Sequence, residues 1–224
     1  MTTSSSASAQ RSYALAVMSA ALICFLVWSG FRPYDRLTWF MEVLPVIVAL
    51  PVMWATWRHF PLTDLLYACI FVHCCVLMLG GAYTYAHVPM GFALQDWFGL
   101  DRNPYDKIGH FMQGFVPALV AREIMIRGDF VRTRGMLAFL VLCVVMAVSA
   151  TYELVEWAAA LALGQGADEF LGTQGDVWDT QSDMFLALVG GVAALALFSR
   201  LHDREITALQ SRALPARPIA GPLR

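Results

Sequence analysis

Long apolar runs, separated by short charged or proline-marked joints, leave this chain few ways to fold. They occupy about residues 13–30, 37–57, 62–83, 105–126, 136–163 and 179–199. About 20 apolar residues in a helix cross a hydrocarbon core of ~30 Å while satisfying their own backbone hydrogen bonds. A charged fraction of 14% and a mean hydropathy of +0.59 exclude an ordinary soluble domain, which would carry about 25% charge. The expected fold is all-α: a polytopic membrane helix bundle of six transmembrane helices.

Residues 1–12, polar and Ser-rich, read as a disordered N-terminal lead; 13–200 form the six-helix transmembrane domain; 201–224 form a basic tail, partly disordered. The first run is longer than a signal-peptide core and no clear small-residue cleavage pattern follows it, so it reads as a retained helix. Pro45 and Pro51 predict a kink in the second run. Residues 89–104, with Asp96, Trp97 and Asp101, read as a segment lying along the interface. The five cysteines fall inside apolar runs, where they act as small hydrophobes. Cys74 and Cys75 beside His73 have metal-binding chemistry, but adjacent helical positions face different directions.

The basic residues orient the bundle. With the N-terminus in the cytoplasm, Arg11, Arg58, Arg122, Arg127, Arg132, Arg134, Arg200, Arg204, Arg212, Arg217 and Arg224 fall on the inner side. Arg32, Arg36, Arg102 and Lys107 fall outside. This asymmetry follows the positive-inside rule and places both termini in the cytoplasm.

The outer side then receives an acid-rich stretch from Glu153 to Asp183, with Glu156, Asp168, Glu169, Asp176 and Asp179 and no Lys or Arg. Three helices present polar residues there at helical spacing. Asp106, His110 and Gln113 share one face of the fourth span, and Ser149, Glu153 and Glu156 one face of the fifth. Asp176, Asp179 and Asp183, with Gln181 nearby, enter the sixth. At 1.5 Å per residue, Glu153, His110 and Asp183 all reach a level just below the outer surface. First-turn acids such as Asp106 and Asp179 suit a helix N-terminus, whereas Glu153 and Glu156 sit near a helix C-terminus, where the dipole disfavours anions. Clustered carboxylates in this setting repel one another unless a cation joins them.

Carboxylates with one histidine suit a divalent ion such as Mg²⁺, Mn²⁺, Fe²⁺ or Zn²⁺. The candidate ligands are His110, Glu153, Glu156, Asp179 and Asp183. Asp106 would orient His110, and a buried glutamate would act as general acid or base, which makes Asp106, His110, Glu153 and Glu156 the catalytic candidates. Gln113, Asp176 and Gln181 would support them. Arg102, lying before the fourth span, competes as the partner of the acids through a salt-bridge network. Neither an HExxH pattern nor paired ExxH motifs are present, and Ser149 and Ser182 lack a nucleophile elbow. Glu123 lies beside Arg122 near the inner edge, where a local ion pair is expected, and Glu42 is an isolated acid in the second span.

The combination of RNPYDKIGHFMQGFVPALVAREI, ELVEW and LGTQGDVWDTQSDM resembles the YjdF-like bacterial inner-membrane family over roughly residues 35–205. The resemblance implies a six-helix integral membrane protein and lends no activity. A fainter similarity, carried by Asp106, Lys107, His110, Asp183 and Gly190, is to VanZ-like membrane proteins. The later part of that match departs from the Arg and Asn usual there. The expected function is therefore an outer-face polar site: a metal-dependent enzyme acting on a lipid or cell-envelope substrate. The alternatives are a cation- or proton-responsive transporter or sensor, or a structural membrane protein. The lipid bilayer is the expected partner, and no nucleic acid is.

Overall fold

A computed structural model describes residues 2–163 and 174–213, with side chains over 10–162 and 174–211. The described residues form seven helices and no strand: α1 (Thr2–Phe31), α2 (Arg36–Thr56), α3 (Asp64–Ala82), α4 (Pro89–Phe98), α5 (Tyr105–Arg127), α6 (Arg134–Leu163) and α7 (Asp179–Ala213). The lead-in expected to be disordered is helical from Thr2, as the first turns of α1. At the other end α7 continues past residue 200 to Ala213, so the first part of the tail is helical. His202 and Ile206 within it are buried. Asp168, Glu169 and Gly172 lie outside the described residues.

Five of these helices are long and apolar enough to cross a membrane: Gln10–Phe31, Arg36–Thr56, Asp64–Ala82, Arg134–Ala162 and Asp179–Ser211. The sixth expected span, α5, has the length but not the apolarity. It carries Asp106, Lys107, His110, Arg122, Glu123 and Arg127. Packing explains why this helix is polar. It lies against α3, α6 and α7, so much of it faces protein. Leu154, Leu161, Phe185 and Leu197 of its neighbours remain exposed on the outside of the bundle. A polar helix is tolerated at this depth when other helices sheathe it.

Local chemistry sets the helix starts. Asp35 caps α2 by accepting from the Thr38 amide at 2.7 Å, and that backbone bond holds its carboxyl below the ordinary carboxylate value. Thr63 caps α3. Pro89 occupies the first turn of α4, which closes at Gly99 in the left-handed conformation (φ 62°). Asn103 then ties α4 to α5: its Nδ2 donates to the Val88 carbonyl (3.0 Å) and its Oδ1 accepts from the Tyr105 amide (3.0 Å). Pro45 and Pro51 both sit inside α2 without ending it.

The closest helix approach is between α5 and α7. A Cβ on Gly114 would collide with the Ala187 carbonyl, and one on Gly190 with the Phe111 carbonyl. Two glycines facing two backbones bring the helices together as small-residue interfaces do in membranes. Gly114→Val should therefore lower stability by roughly 2–3 kcal/mol, read as the loss of thermal midpoint in detergent. An unchanged midpoint would contradict this packing.

The end of α5 opposite Tyr105 carries a closed polar cluster. Glu123 is fully buried and accepts from the Thr63 amide (3.1 Å) and hydroxyl (2.8 Å), Arg127 Nη1 (2.8 Å) and His202 Nε2 (2.9 Å). Arg122 instead pairs with Asp203 at 2.5 Å and approaches His202 Nδ1 at 3.3 Å. The ion pair expected between the neighbours Arg122 and Glu123 is therefore corrected. Adjacent helical residues face different directions, and Glu123 meets Arg127 one turn on.

Candidate functional site

The other end of α5 brings together residues of three successive helices, α5, α6 and α7. Asp106 and His110 stand one turn apart on α5, and Asp183 projects from α7 one turn below Asp179. His110 Nε2 lies 3.4 Å from Asp106 Oδ1 and 3.8 Å from Asp183 Oδ2. Its other nitrogen, Nδ1, lies 3.0 Å from Gln113 Oε1 and 3.9 Å from Glu153 Oε1 of α6. His110, Glu153 and Asp183 are all buried. One ligand atom from each of Asp106, His110 and Asp183 fits within 4.8 Å of the other two.

Gln113 Oε1 accepts from the ring when Nδ1 carries the proton, and in that neutral tautomer Nε2 turns its lone pair toward the two aspartates, so that three electron-rich atoms face one another. No Lys or Arg forms an ion pair with Asp106, Glu153 or Asp183 among the described residues. Asp183 Oδ1, Glu153 Oε1 and Ser149 Oγ are buried without a hydrogen-bond partner, and native proteins rarely leave such groups unpaired. Asp106, His110 and Asp183 could hold a divalent ion in this geometry, and Gln113 would then orient the histidine from behind. Asp106 faces Nε2 and so stands where a ligand would, and the side chain placed to orient His110 through Nδ1 is Gln113 rather than Asp106.

Asp179 and Asp176 lie elsewhere. Asp179 forms an ion pair with Arg102, whose guanidinium also lies 3.3 Å from Asp176 Oδ2. The competing salt-bridge network therefore exists, but it engages the turn above Asp183. The same loops are joined by Asn103 and Gln174, whose side chain accepts from the Asn103 amide (3.3 Å) and donates to its carbonyl (3.2 Å). Gln181 is exposed.

Glu156 lines a cavity of about 130 Å³ that also reaches Asp106 and His110. Its remaining polar wall comes from Gln113, expected as a supporting residue, and from residues the sequence did not assign to the site: Glu42, His73, Tyr85 and Tyr152. Tyr152 donates its hydroxyl to Glu42 Oε2 at 2.9 Å, and its ring meets His110 edge-on at a centroid distance of 6.5 Å. Tyr85 follows Thr84 in a pair of left-handed residues (φ 50° and 53°) that set its ring against Gly80 and Gly109. Such backbone is costly for non-glycine residues and marks a position held by its surroundings. No periodicity could have pointed to Tyr85. Glu42, the single acid of its span, was the one available signal.

This is a helical membrane bundle with a buried carboxylate–histidine centre. The chain belongs to the family described as "Predicted membrane protein (DUF2238)", which matches residues 14–204. It is 60% identical over 185 residues to "Inner membrane protein YjdF" of Escherichia coli (strain K12), covering 83% of this chain and 88% of that protein. With its apolar helices, this likeness marks a multi-pass protein of the inner membrane. None of these matches carries the VanZ-like similarity. No solved structure matches the chain.

Proposed function

We propose that the chain holds a divalent cation at the outer end of α5, and that the centre is the active site of a membrane enzyme working on a lipid or cell-envelope substrate. The observation that carries this is the convergence of Asp106, His110 and Asp183 on one point, with buried oxygens of Asp183 and Glu153 left unpaired. In this reading Asp106, His110, Asp183 and Glu153 hold the ion, which would polarise an oxygen of the substrate or activate water. Glu156, in the adjoining cavity, would move the proton. α5 is taken as the sixth span and both termini as cytoplasmic, since basic residues crowd the opposite end of the bundle. A reporter fused at Arg217 that is active only in the periplasm would overturn that orientation.

The centre is one-sided. On α5 about 20 Å separates His110 from Glu123, and the intervening stretch Phe115–Ala121 offers no ionisable group. A through-path for ions lacks support there. The test is electron paramagnetic resonance of Mn²⁺ added to the purified protein. Coupling to a single imidazole nitrogen, abolished by His110→Gln, is the expected result. Bound Mn²⁺ with no nitrogen coupling would refute the assignment.

A further inference from the structure

We propose that the cavity beside the metal centre is a subsite for a protonated amine, which makes a small organic ammonium group part of the substrate. This rests on the reading of the centre just given and names the substrate class it would take.

The starting point is charge. Glu42, Asp106, Glu153, Glu156 and Asp183 gather around one centre, and no Lys or Arg pairs with any of them among the described residues. One divalent ion offsets only part of that negative charge. The surplus lies on the cavity side, where Glu42 and Glu156 face the same space. Glu42 is only 6% exposed, and its side-chain partners are the hydroxyls of Tyr152 and Tyr85, neither of which carries a positive charge. Such buried carboxylates are costly in their charged form, and a cation entering the space would relieve that cost.

The cavity selects which cation. Asp106, His110 and Asp183 meet ligand-distance geometry for a bare metal, and no such trio includes Glu42, Glu156 or His73 among the described residues. The carboxylates of Glu42 and Glu156 and the imidazole of His73 are spread around about 130 Å³ of space. That is the scale of a cavity of ~150 Å³ able to take benzene, so an ammonium group with a few attached carbons fits. The rings of Tyr85 and Tyr152 line the same space, and aromatic faces attract ammonium. An anionic group is repelled by these walls. A purely apolar group would strand the carboxylates without partners.

The experiment is a thermal and calorimetric titration of the full-length, detergent-purified protein with ethylammonium chloride, with Mn²⁺ present. Ethanol serves as the neutral isostere and sodium chloride as the ionic-strength control. Saturable stabilisation by ethylammonium alone is expected, and Glu42→Gln should weaken it by about tenfold or more, the scale of a charge-assisted hydrogen bond. Glu156 makes no hydrogen bond within the described protein, so Glu156→Gln supplies the same test if Glu42→Gln does not fold. An equal response to ethanol or sodium chloride would overturn the subsite. So would unchanged ethylammonium affinity in both variants while Mn²⁺ still binds. Glu42-dependent ethylammonium binding in a wild-type protein that takes up no Mn²⁺ would instead remove the metal reading and leave the subsite standing.

Discussion

Asp183→Asn is expected to stabilise the metal-free protein and to destabilise the metal-saturated one. Without an ion, Asp183 is a buried acid close to His110 and grouped with Asp106 and Glu153, so the amide relieves repulsion and desolvation. With an ion at about 100 times its dissociation constant, the wild type gains about 2.7 kcal/mol from binding. The variant forfeits most of that gain. Loss of an outer-shell partner already costs roughly 10–100-fold in metal affinity, and loss of a ligand should exceed this. Thermal midpoints of both proteins in EDTA and in Mn²⁺ decide the matter: the order should reverse between the two conditions. A variant that ranks the same way in both would mean that Asp183 is not a ligand.

At the opposite end of α5, Glu123→Ala should be the most damaging single change to folding, at roughly 3–5 kcal/mol. It removes the shared acceptor of Thr63, Arg127 and His202 at a fully buried position. Thr63 begins α3 and His202 belongs to α7, so the loss loosens three helices together. Arg127 keeps the Pro61 carbonyl (2.6 Å) and the face of Phe60, whereas His202 Nε2 is left without an acceptor. Glu123→Gln retains an oxygen acceptor and should cost less. Unfolding of detergent-solubilised protein followed by circular dichroism measures both. Because about 20 Å of helix separates Glu123 from His110, folded Glu123→Gln protein should bind metal as the wild type does.

Helical periodicity made half of the centre legible. Asp106, His110 and Gln113 follow one face of α5, and Glu153 and Asp183 lie at matching depth on helices that membrane topology places side by side. What the sequence could not supply was which helices touch. Tyr152 is drawn inward by Glu42 of α2 and by the His110 ring, and the first of these contacts joins residues over a hundred positions apart. Asp179 shared the periodicity of Asp183, but Arg102 draws it into the loop layer. The polar character of α5 was visible, and its cause was not: the helix is sheathed by α3, α6 and α7. Likewise, the i, i+4 relation of Glu123 to Arg127 was in the sequence, while the partners Thr63 and His202 required the fold.

Equilibrium dialysis of the detergent-purified protein against Mn²⁺, with metal counted per chain, tests the central claim most directly. The account predicts one saturable ion per wild-type chain, lost when His110 and Asp183 are replaced together by Gln and Asn, with the variant still folded. Folded wild-type protein that takes up no metal, or a double variant that binds it as tightly as the wild type, would contradict the account.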